Sequence, residues 1–210
     1  MDTIYKSDTK RVFLTFDDGP SPVTSKILDI LKQENVKATF FILGSNVDSR
    51  KDVVKRMYEE GHYLANHGYS HTYSKIYSSP QSVLDEYNEC NDKVKNAIEV
   101  PDYNSHLFRF PGGLAGGKYT EIKKEAKEIL LQNNIVNVDW NALTGDAETN
   151  NLSVEFEMTR LTETMESKNS LVILMHDAAA KSVTADALPQ IIAKLKEEGY
   201  EFKNFYDIIK

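Results

Sequence analysis

The chain has 210 residues, 40% of them hydrophobic and 27% charged, and a formal net charge of −7 from 32 acidic and 25 basic residues. That length suits one domain with a full core, and the acidic balance excludes a nucleic-acid backbone as main partner, because phosphate binding needs a basic excess. A single cysteine, Cys90, excludes an internal disulfide and a cysteine-based zinc site, so any metal falls to His, Asp or Glu.

Strand and helix patterns alternate along the chain. Residues 12–16 (VFLTF) are a short apolar run of strand formers, and 22–35 reads as a helix with Ile27, Ile30 and Leu31 on one face. A second buried strand is expected at 38–43, closed by Gly44, then a helix at 48–60 ended by Gly61. A weaker strand at 62–66 leads into a histidine pair. A long polar helix follows at 81–99, where Cys90 reads as a helix-face residue. Next come a strand at 107–110, a helix at 118–132, a strand at 135–138, a helix at 153–167, a strand at 171–175 and a helix at 184–198. Residues 202–209 close the chain as an apolar-faced turn or helix.

About seven short, continuously apolar strands separated by helices imply a parallel sheet buried on both faces, as a barrel or a doubly wound sheet. Both place active groups at the C-terminal ends of strands. Asp17, Asp18, Arg109 and His176 all stand at or just past such an end.

Asp17 and Asp18 in Thr15-Phe16-Asp17-Asp18-Gly19-Pro20 point to opposite sides of an extended chain. One can bind a metal while the other contacts substrate or water. Asp-Gly-Pro is also turn chemistry. His67 and His71 are spaced i, i+4, which on a helical turn puts both rings on one face, as a metal site requires. Two histidines and one carboxylate leave an open position for water, whose pKa a metal lowers to near 7. Such a donor set accepts zinc, cobalt, nickel or iron. Amide hydrolysis also needs an acid for the leaving amine, and a histidine such as His176 serves near neutral pH. Arg109 can orient a carboxylate by bidentate bonding. Residues 112–118 (GGLAGGK) match part of a phosphate-binding loop, but Tyr119 stands where Ser or Thr would hold magnesium, so a nucleotide is not expected. His62 and His106 have no partner pattern and read as structural or surface residues.

With these pieces assembled, the chain resembles the polysaccharide deacetylases of carbohydrate esterase family 4, the NodB homology domain, from Val12 to about Lys196. Thr-Phe-Asp-Asp-Gly-Pro at 15–20 and His67-Gly68-Tyr69-Ser70-His71 carry the resemblance, with Ala38-Thr39-Phe40-Phe41 and Gly61-His62 around them. The resemblance implies a distorted (β/α)7 barrel-like fold, parallel strands with outer helices, as a single catalytic domain over 1–210 with its core at 11–199. It implies a metal held by Asp18, His67 and His71, with zinc the expected ion, and Asp17 as general base fixed by Arg109. It implies His176 as general acid supported by Asp146, and an oxyanion contact from the Gly112 N–H, with Pro111 and Trp140 in the substrate region.

The implied activity is metal-dependent removal of N-acetyl groups, linear amide bonds, from N-acetylglucosamine-type sugars of a polymer. Peptidoglycan is the first substrate, then chitin-type oligomers, then acetylated xylan, and a catalytically dead glycan-binding module is the remaining class. Two departures open the substrate groove. Gly112 stands where the family often has tyrosine, which removes a tyrosine wall, and Ala147 stands where it often has tryptophan. The 11 tyrosines can include sugar-stacking groups, and spacing singles out none. Family membership implies export, whereas residues 1–6 lack a signal-peptide apolar region and no run reaches the roughly 18 apolar residues of a membrane span. The expectation is therefore an extracytoplasmic or cell-surface domain trimmed from an exported protein.

Overall fold

The computed structural model describes residues 2–209. Its strands are β1 (Arg11–Asp17), β2 (Thr39–Ile42), β3 (Tyr63–Asn66), β4 (Leu107–Phe108), β5 (Val136–Asn137), β6 (Ala142–Leu143), β7 (Ser170–His176) and β8 (Glu201–Lys203). The helices are α1 (Pro22–Gln33), α2 (Gly44–Val47), α3 (Lys51–Glu59), α4 (Tyr73–Ile76), α5 (Pro80–Ile98), α6 (Thr120–Gln132), α7 (Val154–Met165) and α8 (Ser182–Glu197). Seven strands follow the order β5-β4-β3-β2-β1-β7-β6, all parallel, and the eighth, β8, pairs with β1.

β1 is the centre of the sheet. One edge pairs with β7 from Arg11 to Asp17. The other edge is shared, with β8 on Arg11 to Phe13 and β2 on Thr15 to Asp17. The sheet curls into a half-barrel with outer helices, the distorted (β/α)7 form that the resemblance implies.

Side-chain alternation sorts the core. Val12, Leu14 and Phe16 of β1, Phe40 and Ile42 of β2, and Leu171, Ile173 and Met175 of β7 pack in one cluster with the apolar stripes of α1 and α8. The alternate residues Phe13, Phe41 and Val172 meet Phe205 inside the curl. Thr15 and Asp17 continue that inner row towards the C-terminal rim, where apolar filling gives way to polar groups. The α1 start is sharply defined: Ser21 caps it in a reciprocal capping box with Thr24, and Pro22 takes the first turn.

Several boundaries differ from those expected. Gly44 opens α2 rather than closing a strand, and the helix expected at 48–60 starts only at Lys51. β6 lies where no strand is expected. Glu201–Lys203 is a strand, because the vacant half-edge of β1 supplies backbone partners that local sequence does not reveal. Cys90 is buried on α5 with Sγ 3.3 Å from the Ile42 carbonyl, and burial pushes its thiol up.

Candidate active site

β1 delivers both carboxylates. Its alternation turns Asp17 inward, where it is 2% exposed. Asp18 leaves the strand with φ +77, a left-handed conformation costly to a residue with a side chain. Asn46 of α2 holds that turn by donating to the Asp18 carbonyl at 3.0 Å. Burial pushes the Asp17 carboxyl above its ordinary range, against the lowering pull of Arg109 and His176.

His67 and His71 follow β3 in an open loop, not on a helical turn, which corrects the expectation drawn from their spacing. Gly68 at φ +84 and His71 at φ +52 fold the loop back so that the ring centres stand 5.4 Å apart. Glu86 of α5 holds the loop from behind: its Oε2 accepts the N–H groups of Tyr69 at 2.8 Å and Ser70 at 2.7 Å. Asn66 Oδ1 accepts the Gly68 N–H at 2.9 Å. His67 donates Nδ1–H to the Arg109 carbonyl at 2.7 Å, which leaves Nε2 as a free lone pair. Burial drives its imidazole down to about 3, so the ring is neutral.

The Nε2 atoms of His67 and His71 lie 3.6 and 3.5 Å from Asp18 Oδ1. That oxygen is buried and has no hydrogen-bond partner among the described residues. Two ligands each about 2.1 Å from one ion at the tetrahedral angle stand about 3.4 Å apart. The three donor atoms, all within 4.8 Å of one another, therefore have the spacing and chemistry of a divalent-metal site.

Arg109, just past β4, is 0% exposed. Its Nη1 donates to Asp17 Oδ1 at 2.7 Å and Thr15 Oγ1 at 2.8 Å. Its Nε and Nη2 donate to the carbonyls of Val138 at 2.9 Å and Asp139 at 3.0 Å, in the connection between β5 and β6. The strand order begins at β5 and ends at β6, so this guanidinium satisfies carbonyls at the open side of the curl. Phe41 stacks on it at 3.9 Å.

β7 ends at His176, beside Asp17 in register. Asp146 grips this residue twice, accepting Nδ1–H at Oδ1 (2.8 Å) and the backbone N–H at Oδ2 (2.7 Å). Burial opposes the charged imidazole, but the Asp146 bond and charge, with Asp17 and Asp18, outweigh it and push it up to about 9. Thr184 Oγ1 stands between two buried carboxyls, 3.1 Å from Asp146 Oδ2 and 3.2 Å from Glu157 Oε1. One hydroxyl hydrogen cannot serve both acceptors. Burial, reinforced by the Asp146 charge, pushes Glu157 up to about 7, and below that pH the protonated acid carries the second hydrogen this pair of contacts requires.

The structure thus gathers Asp17, Asp18, His67, His71, Arg109, His176 and Asp146 at one rim. A groove of about 480 Å³ adjoins it at Asp18 and His71, lined also by Pro20, Leu43, Asn46 and Arg50. Pro111 and Gly112 border the site, with the Pro111 carbonyl accepting the Tyr77 hydroxyl at 2.7 Å. Trp140 lies behind the guanidinium, 5.7 Å from it, and lines a separate groove of about 540 Å³ with Tyr5, Leu114 and Val136. Glu86, Thr184 and Glu157 escaped sequence reasoning, and Thr15 reads in the sequence only as part of its motif, without the Arg109 contact. Each sits on an ordinary strand or helix pattern and becomes part of the site only through contacts across the fold.

Cleavage by water needs one group to take a proton and another to give one. The rim offers both beside a place for a cation, the equipment of a metal-assisted hydrolase. Residues 5–131 match the polysaccharide deacetylase family profile, and the chain belongs to that family of enzymes that remove N-acetyl groups from polysaccharides. It is 34% identical to a peptidoglycan-N-acetylglucosamine deacetylase of Bacillus cereus, over 95% of this chain and 71% of that one. It is 36% identical to the peptidoglycan-N-acetylglucosamine deacetylase PgdA of Listeria monocytogenes, over 92% of this chain but only 37% of that protein's length. A solved Streptococcus mutans CE4 esterase superposes with a TM-score of 0.88 at 35% identity, covering 97% of this chain and 90% of that one.

Proposed function

We propose that the chain removes the acetyl group from N-acetylglucosamine residues of peptidoglycan, with zinc held by Asp18, His67 and His71. The carrying observation is the buried, unpartnered Asp18 Oδ1 facing two imidazole nitrogens at 3.5 and 3.6 Å. The glycan assignment draws on the relatives named for that reaction.

A bound divalent metal supplies Lewis-acid polarisation of the acetyl carbonyl and acidifies water. Asp17 takes a proton from the attacking water through Oδ2, the oxygen that Arg109 leaves uncommitted. The Gly112 N–H donates to the tetrahedral oxyanion. His176, its Nδ1–H committed to Asp146, gives the Nε2 proton to the departing nitrogen. The C–N bond breaks, and the products are acetate and the sugar amine. The residues from 11 to 199 act as one catalytic unit. No helix among the described residues is long and apolar enough to cross a membrane. The substrate places the reaction at the cell surface.

Acetate release from peptidoglycan and from N-acetylglucosamine oligomers tests this, with chelated protein compared with protein given back zinc or cobalt. Restored release on peptidoglycan is expected, and Asp17→Asn should lower the rate at least about a hundredfold. No release on either glycan with one metal bound per chain refutes the activity. Full activity in Asp17→Asn refutes the base.

A further inference from the structure

Position 112 has no side chain, yet the space a side chain would take is filled. A β-carbon on Gly112 would lie 2.5 Å from Tyr73 Oη and 3.4 Å from Tyr73 Cζ. Gly112 has φ +74, so its backbone also disfavours a substituent. Tyr73 comes from α4, directly after the histidine loop, on an element unrelated to the Arg109–Gly113 segment. The space beside Gly112 is filled by a ring from a separate element.

The ring is firmly seated. It packs on His71 at 5.6 Å, and edge-on against Tyr77 at 5.5 Å and Tyr119 at 6.3 Å. Tyr77 is itself anchored, 1% exposed with its hydroxyl on the Pro111 carbonyl. Tyr73 nevertheless remains 39% exposed, an aromatic face kept at the rim instead of in the core. The hydroxyls of Tyr63, Tyr77, Tyr87, Tyr103 and Tyr200 each donate to a protein acceptor. Among the described residues those of Tyr58, Tyr69, Tyr119 and Tyr73 do not, and of these four Tyr73 is the one whose ring packs on His71. A phenol is protonated at neutral pH and is therefore a donor that an oxygen arriving from solvent can accept. Beside it lie a metal-type site and the Gly112 N–H. A rigid apolar face with a polar tip is what a sugar ring with its outer oxygens fits.

We propose that Tyr73 is the substrate-contacting wall of the N-acetyl sugar site, its ring covering the sugar and its hydroxyl donating to a sugar oxygen. This deepens the deacetylase reading and rests on its placement of the sugar over Asp18, His67 and His71. A side chain at position 112 would meet the Tyr73 hydroxyl where it now lies, so the glycine leaves room for this placement of the ring.

The test is calorimetric binding of the N-acetylglucosamine tetramer to zinc-loaded protein, in an Asp17→Asn background that stops turnover. Zinc affinity is measured in parallel. Tyr73→Phe should weaken tetramer binding about tenfold, the worth of one hydrogen bond. Tyr73→Ala should weaken it by about a hundredfold, with zinc affinity held within about threefold in both. Tetramer binding equal to that of the parent overturns the proposal, whether or not the unmodified chain releases acetate. Zinc affinity falling in step with glycan binding also overturns it, because Tyr73 would then serve His71 and not the sugar. Weaker tetramer binding with no acetate release by the unmodified chain refutes the deacetylase reading and sustains the wall.

Discussion

Arg109 joins architecture to chemistry in one side chain. The same guanidinium that satisfies the Val138 and Asp139 carbonyls holds Asp17 Oδ1 at 2.7 Å, with no exposed surface. A lysine head could not reach this fork of acceptors, because its donors radiate from one point. Breaking a buried ion pair from one side leaves the partner charge uncompensated and costs about 3–5 kcal/mol. Arg109→Leu should therefore lower unfolding stability in urea by that amount and abolish acetate release. Loss of activity at unchanged stability would show that Arg109 only orients Asp17. The sequence displayed this arginine at a strand end, but its Thr15 and carbonyl contacts come from distant parts of the chain.

At the scale of elements, the loop from His67 to His71 has no regular structure of its own and borrows order from α5. Glu86 accepts two of its backbone N–H groups and the Ser70 hydroxyl. Removing such outer support commonly costs 10–100-fold in metal affinity. Glu86→Ala should lower zinc affinity by about that factor while the far-ultraviolet circular dichroism stays unchanged. Undiminished affinity would show that the left-handed turns at Gly68 and His71 hold the loop unaided. The i, i+4 spacing correctly brings the two histidines together and wrongly suggests a helix. A folded-back loop also brings residues four apart face to face, and a lone Glu on a polar helix looks like a solvated charge.

For the whole molecule, stability at neutral pH works against buried acid. Burial first of all pushes Glu157 and Asp177 up to about 7 each, from ordinary values of 4.5 and 3.8. Between those values the folded chain keeps protons that the unfolded chain has released. Stability from these groups is full below the ordinary values and declines as pH rises through about 7. His62, driven down to about 4 mainly by burial, has the opposite sign over its own window. Comparing Glu157→Gln with the parent isolates the Glu157 share. The melting temperature of the metal-free parent should fall relative to that of Glu157→Gln between about pH 5 and pH 8, by the equivalent of on the order of 2 kcal/mol. Parallel melting curves would show that Glu157 is ionised in the fold, with Thr184 turned towards it.

The local sequence determined the parallel α/β architecture, because buried strands read as short apolar runs and their helices carry amphipathic stripes. It also displayed the chemical groups of the rim, since Asp17, Asp18, His67, His71, Arg109 and His176 end strands or follow them closely. Tertiary structure alone decided what holds those groups. Glu86 and Thr184 reach the site across the fold, β8 exists only because half of one β1 edge is vacant, and Tyr73 occupies the space that Gly112 leaves. Periodicity records which face of an element is buried, whereas a hydrogen bond or a steric exclusion between distant segments depends on where the packed elements finally bring them.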